Sequence, residues 1–140
     1  MVRGYSYVQM LMVITLLAIL AAVASPYYLS WQQRQAVRST SSMLLADLRF
    51  MQSRSMQREQ ATTWGIVIDD AAKQYTLTGS YNQTVSYPDS IMITATPSTT
   101  IVFVGLTGLP TAATTIAITS TSFPSANNTI TINEEGVTEY

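Results

Sequence analysis

An apolar stretch without a single charged residue occupies the N-terminal part of this chain. No charge falls between Arg3 and Arg34, and within residues 8–24, VQMLMVITLLAILAAVA, only Gln9 and Thr15 are polar. A helix rises about 1.5 Å per residue, so a helix over these residues roughly matches a bilayer core of about 30 Å. The sequence therefore predicts a helix that is suited to lipid rather than to water.

The end of this stretch has the features of a membrane boundary. Pro26 has no N–H group to donate to the carbonyl oxygen of Ala22, which predicts a kink in the helix. Tyr27, Tyr28 and Trp31 follow directly, and aromatic residues of this kind collect where a helix leaves the bilayer. The charges on either side of the stretch do not decide its orientation in the membrane.

Helical periodicity continues past this boundary to about residue 60, now in an amphipathic pattern. The apolar residues Val37, Leu44, Leu48 and Met51 recur at helical spacing. Met43 and Phe50 lie beside this stripe. Such a stripe needs an apolar partner, which later strands can supply. Arg34 and Arg38 form a like-charge pair one turn apart, which is mildly unfavourable in an isolated helix. The helix macrodipole does not explain this pair, so both arginines are candidate assembly contacts.

The pattern changes to that of strands from Thr63 onwards. Short runs rich in Ile, Val and Thr alternate with turns and contain few charges, which favours antiparallel sheet. The predicted strands are Trp64–Ile68, Gln74–Thr78, Ile91–Ala95, Ile101–Val104, Thr115–Thr119, Thr129–Asn133 and Val137–Tyr140, with turns at 69–72 and 134–136. The predicted fold class is α+β, with a long kinked N-terminal helix packed on a small antiparallel β-sheet domain.

Composition excludes several kinds of chemistry. The chain has no cysteine and no histidine, so it cannot form disulfides, thiol nucleophiles, ordinary zinc sites or Ser-His-Asp triads. A net charge of −1 argues against nucleic-acid binding by bulk electrostatics. The pairs Asp69-Asp70 and Glu134-Glu135 lack the ligand density of a calcium loop and fit turns better. We therefore predict no enzyme activity, no catalytic residue, no metal site and no cofactor.

Charge is unevenly distributed along the chain. Residues 31–60 contain five arginines against Asp47 and Glu59, whereas from residue 61 onwards Lys73 alone opposes six acidic residues. The helix is therefore basic and the later domain acidic. This distribution suits neighbouring molecules that pack helix against domain, and a solvated basic helix face explains it equally well.

The N-terminus resembles that of type IV pilins and pseudopilins. Gly4 is followed by an aromatic residue, a short polar step and an apolar helix that contains LLAILAAVASPYY. The resemblance implies that a prepilin peptidase cuts between Gly4 and Tyr5 on the cytoplasmic side and methylates the new N-terminus at Tyr5. It also implies a single-pass protein of the bacterial inner membrane, with a cytoplasmic N-terminus and a periplasmic or extracellular C-terminal domain, which later enters a pilus or pseudopilus.

The rest of the chain is similar to the GspH/FimT group of minor subunits. Residues 44–58 with the strand at Trp64–Ile68 resemble the helix-to-strand junction of that group, and residues 101–110 and 130–137 resemble its later sheet. The segments that the resemblance implies are a prepilin leader at 1–4, the transmembrane and assembly half of the helix at 5–26, its amphipathic half at 27–60, and an extracytoplasmic β-sheet domain at 61–140.

The resemblance implies a structural function. The expected protein is a minor pilin or pseudopilin that assembles through its N-terminal helix into a type IV pilus-like or type II secretion pseudopilus filament. Expected partners are other pilin or pseudopilin subunits, the prepilin peptidase, membrane lipid before assembly and, indirectly, the inner-membrane platform and the assembly ATPase. Nucleic acid is not expected as a partner. The family serves secretion, pili and DNA uptake alike, and the residues leave that choice open.

One position departs from the family pattern. The family usually has glutamate at the fifth mature position, whereas this chain has Gln9. In the mechanism that the resemblance implies, the carboxylate meets the positive N-terminus of an adjoining subunit inside the apolar filament core. An amide cannot neutralise an amine. We hypothesise that this subunit occupies a position without such a neighbour, for example at a filament tip, or is a low-copy subunit that tolerates weaker docking. Drift at a tolerant position is the third explanation.

Two other classes of protein compete with this interpretation. Ala22-Val23-Ala24 fits a signal-peptidase site, so the chain could be a secreted soluble β-rich binding module whose mature N-terminus is Ser25. A membrane enzyme with an external domain is the other class, and it would need a reactive constellation that we do not find in the sequence.

Overall fold

The computed structural model describes residues 6–57, 63–80 and 82–138. In this part of the chain, one long helix precedes eight strands. The helix α1 spans Tyr7–Met56. The strands are β1 Trp64–Asp69, β2 Gln74–Thr78, β3 Gln83–Ser86, β4 Ile91–Thr96, β5 Thr100–Phe103, β6 Thr114–Ser120, β7 Asn127–Asn133 and β8 Gly136–Thr138. The α+β class predicted from the sequence is confirmed.

The chain divides into two compact units, Met1–Gln32 and Gln33–Tyr140. The first unit contains the apolar half of α1. The second contains the rest of the helix together with all eight strands. The predicted segments 27–60 and 61–140 therefore contribute to the same compact unit from Gln33 onwards.

The strands form two antiparallel sheets of four strands each. The first has the order β3-β2-β1-β5, and the second has the order β4-β6-β7-β8. Every pair of neighbouring strands is antiparallel, as the sequence predicted. The sequence predicted a small antiparallel β-sheet domain and did not assign strands to sheets. The structure has two sheets because β5 returns to pair with β1 whereas β4 pairs with β6.

Alternation along the strands builds one hydrophobic core. Ile66 lies between Leu77 of β2 and Ile101 of β5 in the first sheet, and all three side chains are buried. In the second sheet the buried Ile116 lies opposite Ile130. Side chains alternate between the two faces of a strand, so a shift of one residue in the strand pairing would expose these buried side chains. Their burial therefore fixes the register of the strands.

The predicted apolar stripe of the helix contributes to this core. Val37, Leu44, Leu48 and Met51 are all buried, and Leu45 joins them. Two residues placed beside the stripe do not belong to it, because Met43 is 54% exposed and Phe50 is 45% exposed. The helix needs only this stripe for packing, so the flanking apolar side chains stay at the surface.

Three polar contacts attach the helix to both sheets. The Tyr75 hydroxyl of β2 donates to Asp47 Oδ2 at 2.6 Å. Asn128 Nδ2 of β7 donates to Ser41 Oγ at 2.8 Å, and Ser120 Oγ donates to Gln33 Oε1 at 3.1 Å. Burial and the neighbouring Asp47 carboxylate raise the pKa of Tyr75 well above its ordinary value, so the phenol remains a donor.

A carboxylate in the β1–β2 turn connects the two sheets. Asp70 Oδ1 accepts hydrogen bonds from the Tyr87 hydroxyl at 2.9 Å and from the backbone N–H of Ile93 in β4 at 2.9 Å. Lys73 Nζ lies 3.1 Å from both carboxylate oxygens and donates to the Ile91 carbonyl oxygen at 3.0 Å. Partial burial raises the pKa of Asp70, but these hydrogen bonds outweigh it and lower the pKa below the ordinary 3.8.

Six predicted strands lie within two residues of their observed bounds, and the seventh begins one residue after the observed start of β8. The sequence placed it at Val137–Tyr140, whereas β8 is Gly136–Thr138 and residues 139–140 lie outside the described part. The sequence analysis missed β3, Gln83–Ser86. Its residues Gln, Thr, Val and Ser are mostly exposed at a sheet edge, so no apolar alternation marks the strand.

Candidate functional site: the N-terminal helix and a basic groove

The first half of α1 presents apolar side chains on all its faces. Every residue from Ser6 to Ala22 is exposed in this structure, and so are Tyr27, Tyr28 and Trp31. The large apolar side chains are between 47% and 78% exposed, namely Tyr7, Val8, Met10, Leu11, Met12, Val13, Ile14, Leu16, Leu17, Ile19 and Leu20. A helix that is apolar all round requires an apolar environment, either lipid or other helices.

The helix meets the requirements for crossing a membrane in length and composition. Among the described residues it is the single helix that does so, and the apolar window within it is unburied. A signal sequence near an N-terminus meets the same requirements.

Two hydroxyl groups in this half form hydrogen bonds within the helix. The Thr15 hydroxyl donates to the carbonyl oxygens of Met12 at 2.9 Å and Leu11 at 3.0 Å. The Ser30 hydroxyl donates to the Tyr27 carbonyl oxygen at 2.9 Å. Since unpaired polar groups are costly in hydrocarbon, these internal bonds make the helix compatible with lipid or with close helix packing.

Gln9 has a defined local partner at the start of the helix. Its side-chain Oε1 accepts a hydrogen bond from the backbone N–H of Ser6 at 3.2 Å. Ser6 immediately precedes the first helical residue, Tyr7, so Gln9 lies at the third helical position. A Ser followed three residues later by Gln is the capping-box pattern, in which the side chain satisfies a backbone donor that the helix leaves unpaired.

For the other predicted site residues in this half of the helix, the structure describes fewer contacts. Gly4 and Tyr5, the predicted cleavage residues, lie outside the described residues. The helix is continuous through Pro26, and the kink predicted there stays a prediction. Tyr28 and Trp31, part of the predicted aromatic belt, have ring centroids 6.3 Å apart.

Arg34 and Arg38 line a groove on the second compact unit. The groove has a volume of about 330 Å³, and its other lining residues are Val37, Ser125, Ala126 and Asn127. Both arginines are exposed, and neither has an ion-pair partner within residues 6–57, 63–80 and 82–138. We call this the basic groove.

The loop opposite the arginines is held in place by backbone hydrogen bonds. Ala126 N–H donates to the Phe123 carbonyl oxygen at 2.8 Å, and Ser120 N–H donates to the Ala126 carbonyl oxygen at 3.0 Å. The Ser120 hydroxyl also reaches Gln33 on the helix. The basic groove therefore has defined walls, and an anionic group that entered it would meet two guanidinium groups and the Asn127 amide.

Asp70, Glu134 and Glu135 lie in turns, as predicted, whereas Asp69 is the last residue of β1. Asp69 accepts from Ala72 N–H at 3.1 Å, and Asp70 joins the two sheets. Glu134 and Glu135 are exposed in the β7–β8 turn. In the part of the chain that the structure describes, no group of three or more acidic side chains is arranged to hold a metal ion.

Searches of protein-family models, curated proteins and solved structures found no match to this chain.

Sequence reasoning missed two parts of this site. The first is the Ser6–Gln9 capping box, which corresponds to an S-x-x-Q pattern before an apolar run. The sequence prediction treated Gln9 only as a replacement for glutamate and did not include this pattern. The loop at 125–127 was not recognised as a wall of the basic groove. It lies almost 90 residues from Arg34 and Arg38 in the sequence, so only tertiary packing brings them together.

Proposed function

We propose that this protein is a structural subunit of a membrane-assembled filament, a minor pilin or pseudopilin of the type IV pilus or type II secretion kind. One observation carries the proposal: α1 is a single helix of 50 residues that exposes apolar side chains in its first half and buries an apolar stripe in its second half. One part of such a helix suits a membrane or polymer interface, and the other part belongs to a folded domain.

The mechanism that fits this helix is a change of apolar environment. In the membrane, lipid chains surround residues 7–22. On assembly, helices of other subunits replace the lipid, and close packing and polymer contacts supply the driving force. Ala18 and Ala22 are exposed one helical turn apart, which allows two backbones to approach closely. The subunit would enter the membrane with its N-terminus cytoplasmic and its sheet domain outside.

The mature N-terminus tests the proposal most directly. The full chain is expressed in a bacterium that has a prepilin peptidase, and the membrane-bound product is analysed by mass spectrometry. We expect N-methylated Tyr5 as the first residue. A product that begins at Ser25 and remains soluble would instead support the secreted binding module. A product that still begins at Met1 would indicate a membrane-anchored protein that is not processed as a pilin. Gly4→Val is expected to block processing, whereas the control Val2→Ala is expected to leave it unchanged.

A second experiment tests assembly separately from insertion. Ala18→Ile and Ala22→Ile together keep the segment apolar but prevent close approach of a neighbouring helix. We expect the variant to remain in the membrane fraction while filament incorporation or chemical cross-linking between subunits falls several-fold. Leu16→Ile is the matched control and should assemble normally. Normal assembly of the double variant would remove the close-packing mechanism.

Gln9 bears on the place of the subunit in the filament. The capping bond to Ser6 gives Gln9 a function that needs no partner subunit. Glutamate at this position would accept the same hydrogen bond and add a negative charge at the helix N-terminus. If the absence of a carboxylate fixes the position at a filament tip, Gln9→Glu should change the amount or site of incorporation. Unchanged incorporation would favour capping as the main function of Gln9.

A further inference from the structure

We infer that the basic groove receives the acidic β7–β8 turn of a second copy of this chain, in a head-to-tail contact between parallel subunits. The inference rests on the proposed function, because assembly into a filament is what brings parallel copies together. The occupant of the groove is then the exposed pair Glu134 and Glu135, which we call the acidic turn.

The two surfaces are complementary in charge and chemistry. Arg34 and Arg38 lie one helical turn apart, and each guanidinium group can bind a carboxylate through two parallel hydrogen bonds. Glu134 and Glu135 are consecutive and exposed, and neither forms an ion pair or hydrogen bond with any other described residue. The like-charge arginine pair is mildly unfavourable in an isolated subunit, so an anionic partner would remove that repulsion as well.

The two surfaces cannot meet within one chain. Gly136 follows the acidic turn directly, and a Cβ atom at this position would collide with the Gln52 side-chain amide, so the turn lies beside Gln52 of the helix. Gln52 is 14 residues beyond Arg38, which corresponds to about 21 Å along the helix axis. An arginine and a glutamate side chain together cannot span that separation, so any pairing between these surfaces joins two molecules.

The separation along the helix also determines the kind of contact. Parallel copies at the same height would place groove beside groove and turn beside turn, which pairs like charges. A shift of about 21 Å along the helix direction brings the acidic turn of one copy to the basic groove of the next. The two patches differ from each other, so the contact is heterologous and leaves a free groove and a free turn at the two ends. Such a contact can join any two adjacent copies of this chain.

Disulfide cross-linking tests this contact in the full chain. The natural chain has no cysteine, so two introduced thiols are the only ones present. Asn127→Cys lies on the groove wall and Asn133→Cys lies beside the acidic turn, and both positions are exposed. The two variants are produced in one cell as differently tagged copies, and membranes are oxidised. We expect a heterodimer band at least five-fold stronger than the homodimer band of either variant alone.

Charge reversal then tests the chemistry of the contact. Glu134→Lys with Glu135→Lys in the Asn133→Cys copy should lower cross-linking at least five-fold. Adding Arg34→Glu with Arg38→Glu to the Asn127→Cys copy should restore it, which a misfolded variant could not do. Arg49→Glu is the matched control, since Arg49 is exposed on the same helix and does not line the groove. It should leave cross-linking unchanged.

The outcomes separate this inference from the proposed function. A cysteine pair at Leu17 of both copies reports helix-to-helix contact independently. If the Leu17 cross-link and methylated Tyr5 are found but the 127–133 cross-link is absent, the inference is wrong and the proposed function stands. If both cross-links and the methylated N-terminus are absent, both are wrong.

Discussion

Removal of the Asp70 carboxylate should loosen the connection between the two sheets. Asp70 is the acceptor for the Tyr87 hydroxyl and for the backbone N–H of Ile93. Ile93 is 2% exposed, so no water can readily replace the lost acceptor. Asp70→Ala would therefore leave a buried donor unpaired, which is costlier than the loss of an exposed hydrogen bond.

The expected magnitude follows from these contacts. An unpaired buried N–H costs about 1–3 kcal/mol, and the lost hydrogen bond from the Tyr87 hydroxyl adds about 1 kcal/mol. The pair with Lys73 adds little, since both side chains are partly exposed and such pairs are worth about 0–1 kcal/mol. We expect Asp70→Ala to lower the free energy of unfolding by about 2–4 kcal/mol. Asp69→Ala is the matched control, and it removes only an exposed bond to Ala72 worth less than about 1 kcal/mol.

Urea unfolding of the full chain in detergent measures these differences. Trp64 is 2% exposed and reports the core, whereas Trp31 is 61% exposed and is replaced by Phe to remove its signal. An Asp70→Ala variant no less stable than Asp69→Ala would refute the view that this carboxylate joins the sheets.

The pH dependence gives a second test of the same carboxylate. The pKa of Asp70 is lower in the folded chain than its ordinary value of 3.8. Its stabilisation is therefore full above the unfolded pKa and is lost as the pH falls through the lower folded pKa. The difference in unfolding free energy between the natural chain and Asp70→Asn should be constant from pH 7 to pH 5 and should shrink below about pH 4. A difference independent of pH would contradict this account.

Three further substitutions have defined outcomes. Tyr75→Phe removes the hydrogen bond to the helix and should cost about 1 kcal/mol in urea unfolding, so an unchanged midpoint would contradict the role of that contact. Gly65→Ala places a Cβ atom against the Ile101 carbonyl oxygen and should destabilise the chain by about 1–3 kcal/mol. The control Gly105→Ala, with open space around the added atom, should have no such effect. Gln9→Ala should speed hydrogen exchange of the first-turn amides in micelles, and Gln9→Glu should preserve their protection, because only the latter keeps the acceptor for Ser6.

The sequence predicted the helix and most strands because local patterns specify them. The stripe Val37, Leu44, Leu48 and Met51 has helical spacing, and all four side chains are buried. The strand Gln74–Thr78 was predicted with its observed bounds, since Tyr75 and Leu77 alternate with polar residues. In each case the periodicity that identifies the element is the same periodicity that buries one of its faces.

Other features depended on contacts between distant residues. The division into two sheets follows from the pairing of β5 with β1 and of β4 with β6, and no local pattern encodes these partners. The edge strand β3 has little apolar alternation because neither of its faces is buried in the core. Asp70 was predicted as a turn residue, but its bond to Ile93 follows only from the approach of β4.

The sequence alone determined that this chain has an uncharged apolar helix, a second helical stripe to bury and an antiparallel β domain, because these are properties of spacing and composition along the chain. Only the tertiary structure assigned partners. It placed the Asp70 carboxylate on the Ile93 amide, and it brought the loop at 125–127 beside Arg34 and Arg38. Contacts of this kind depend on how elements far apart in the chain approach one another in space, which spacing along the sequence does not specify.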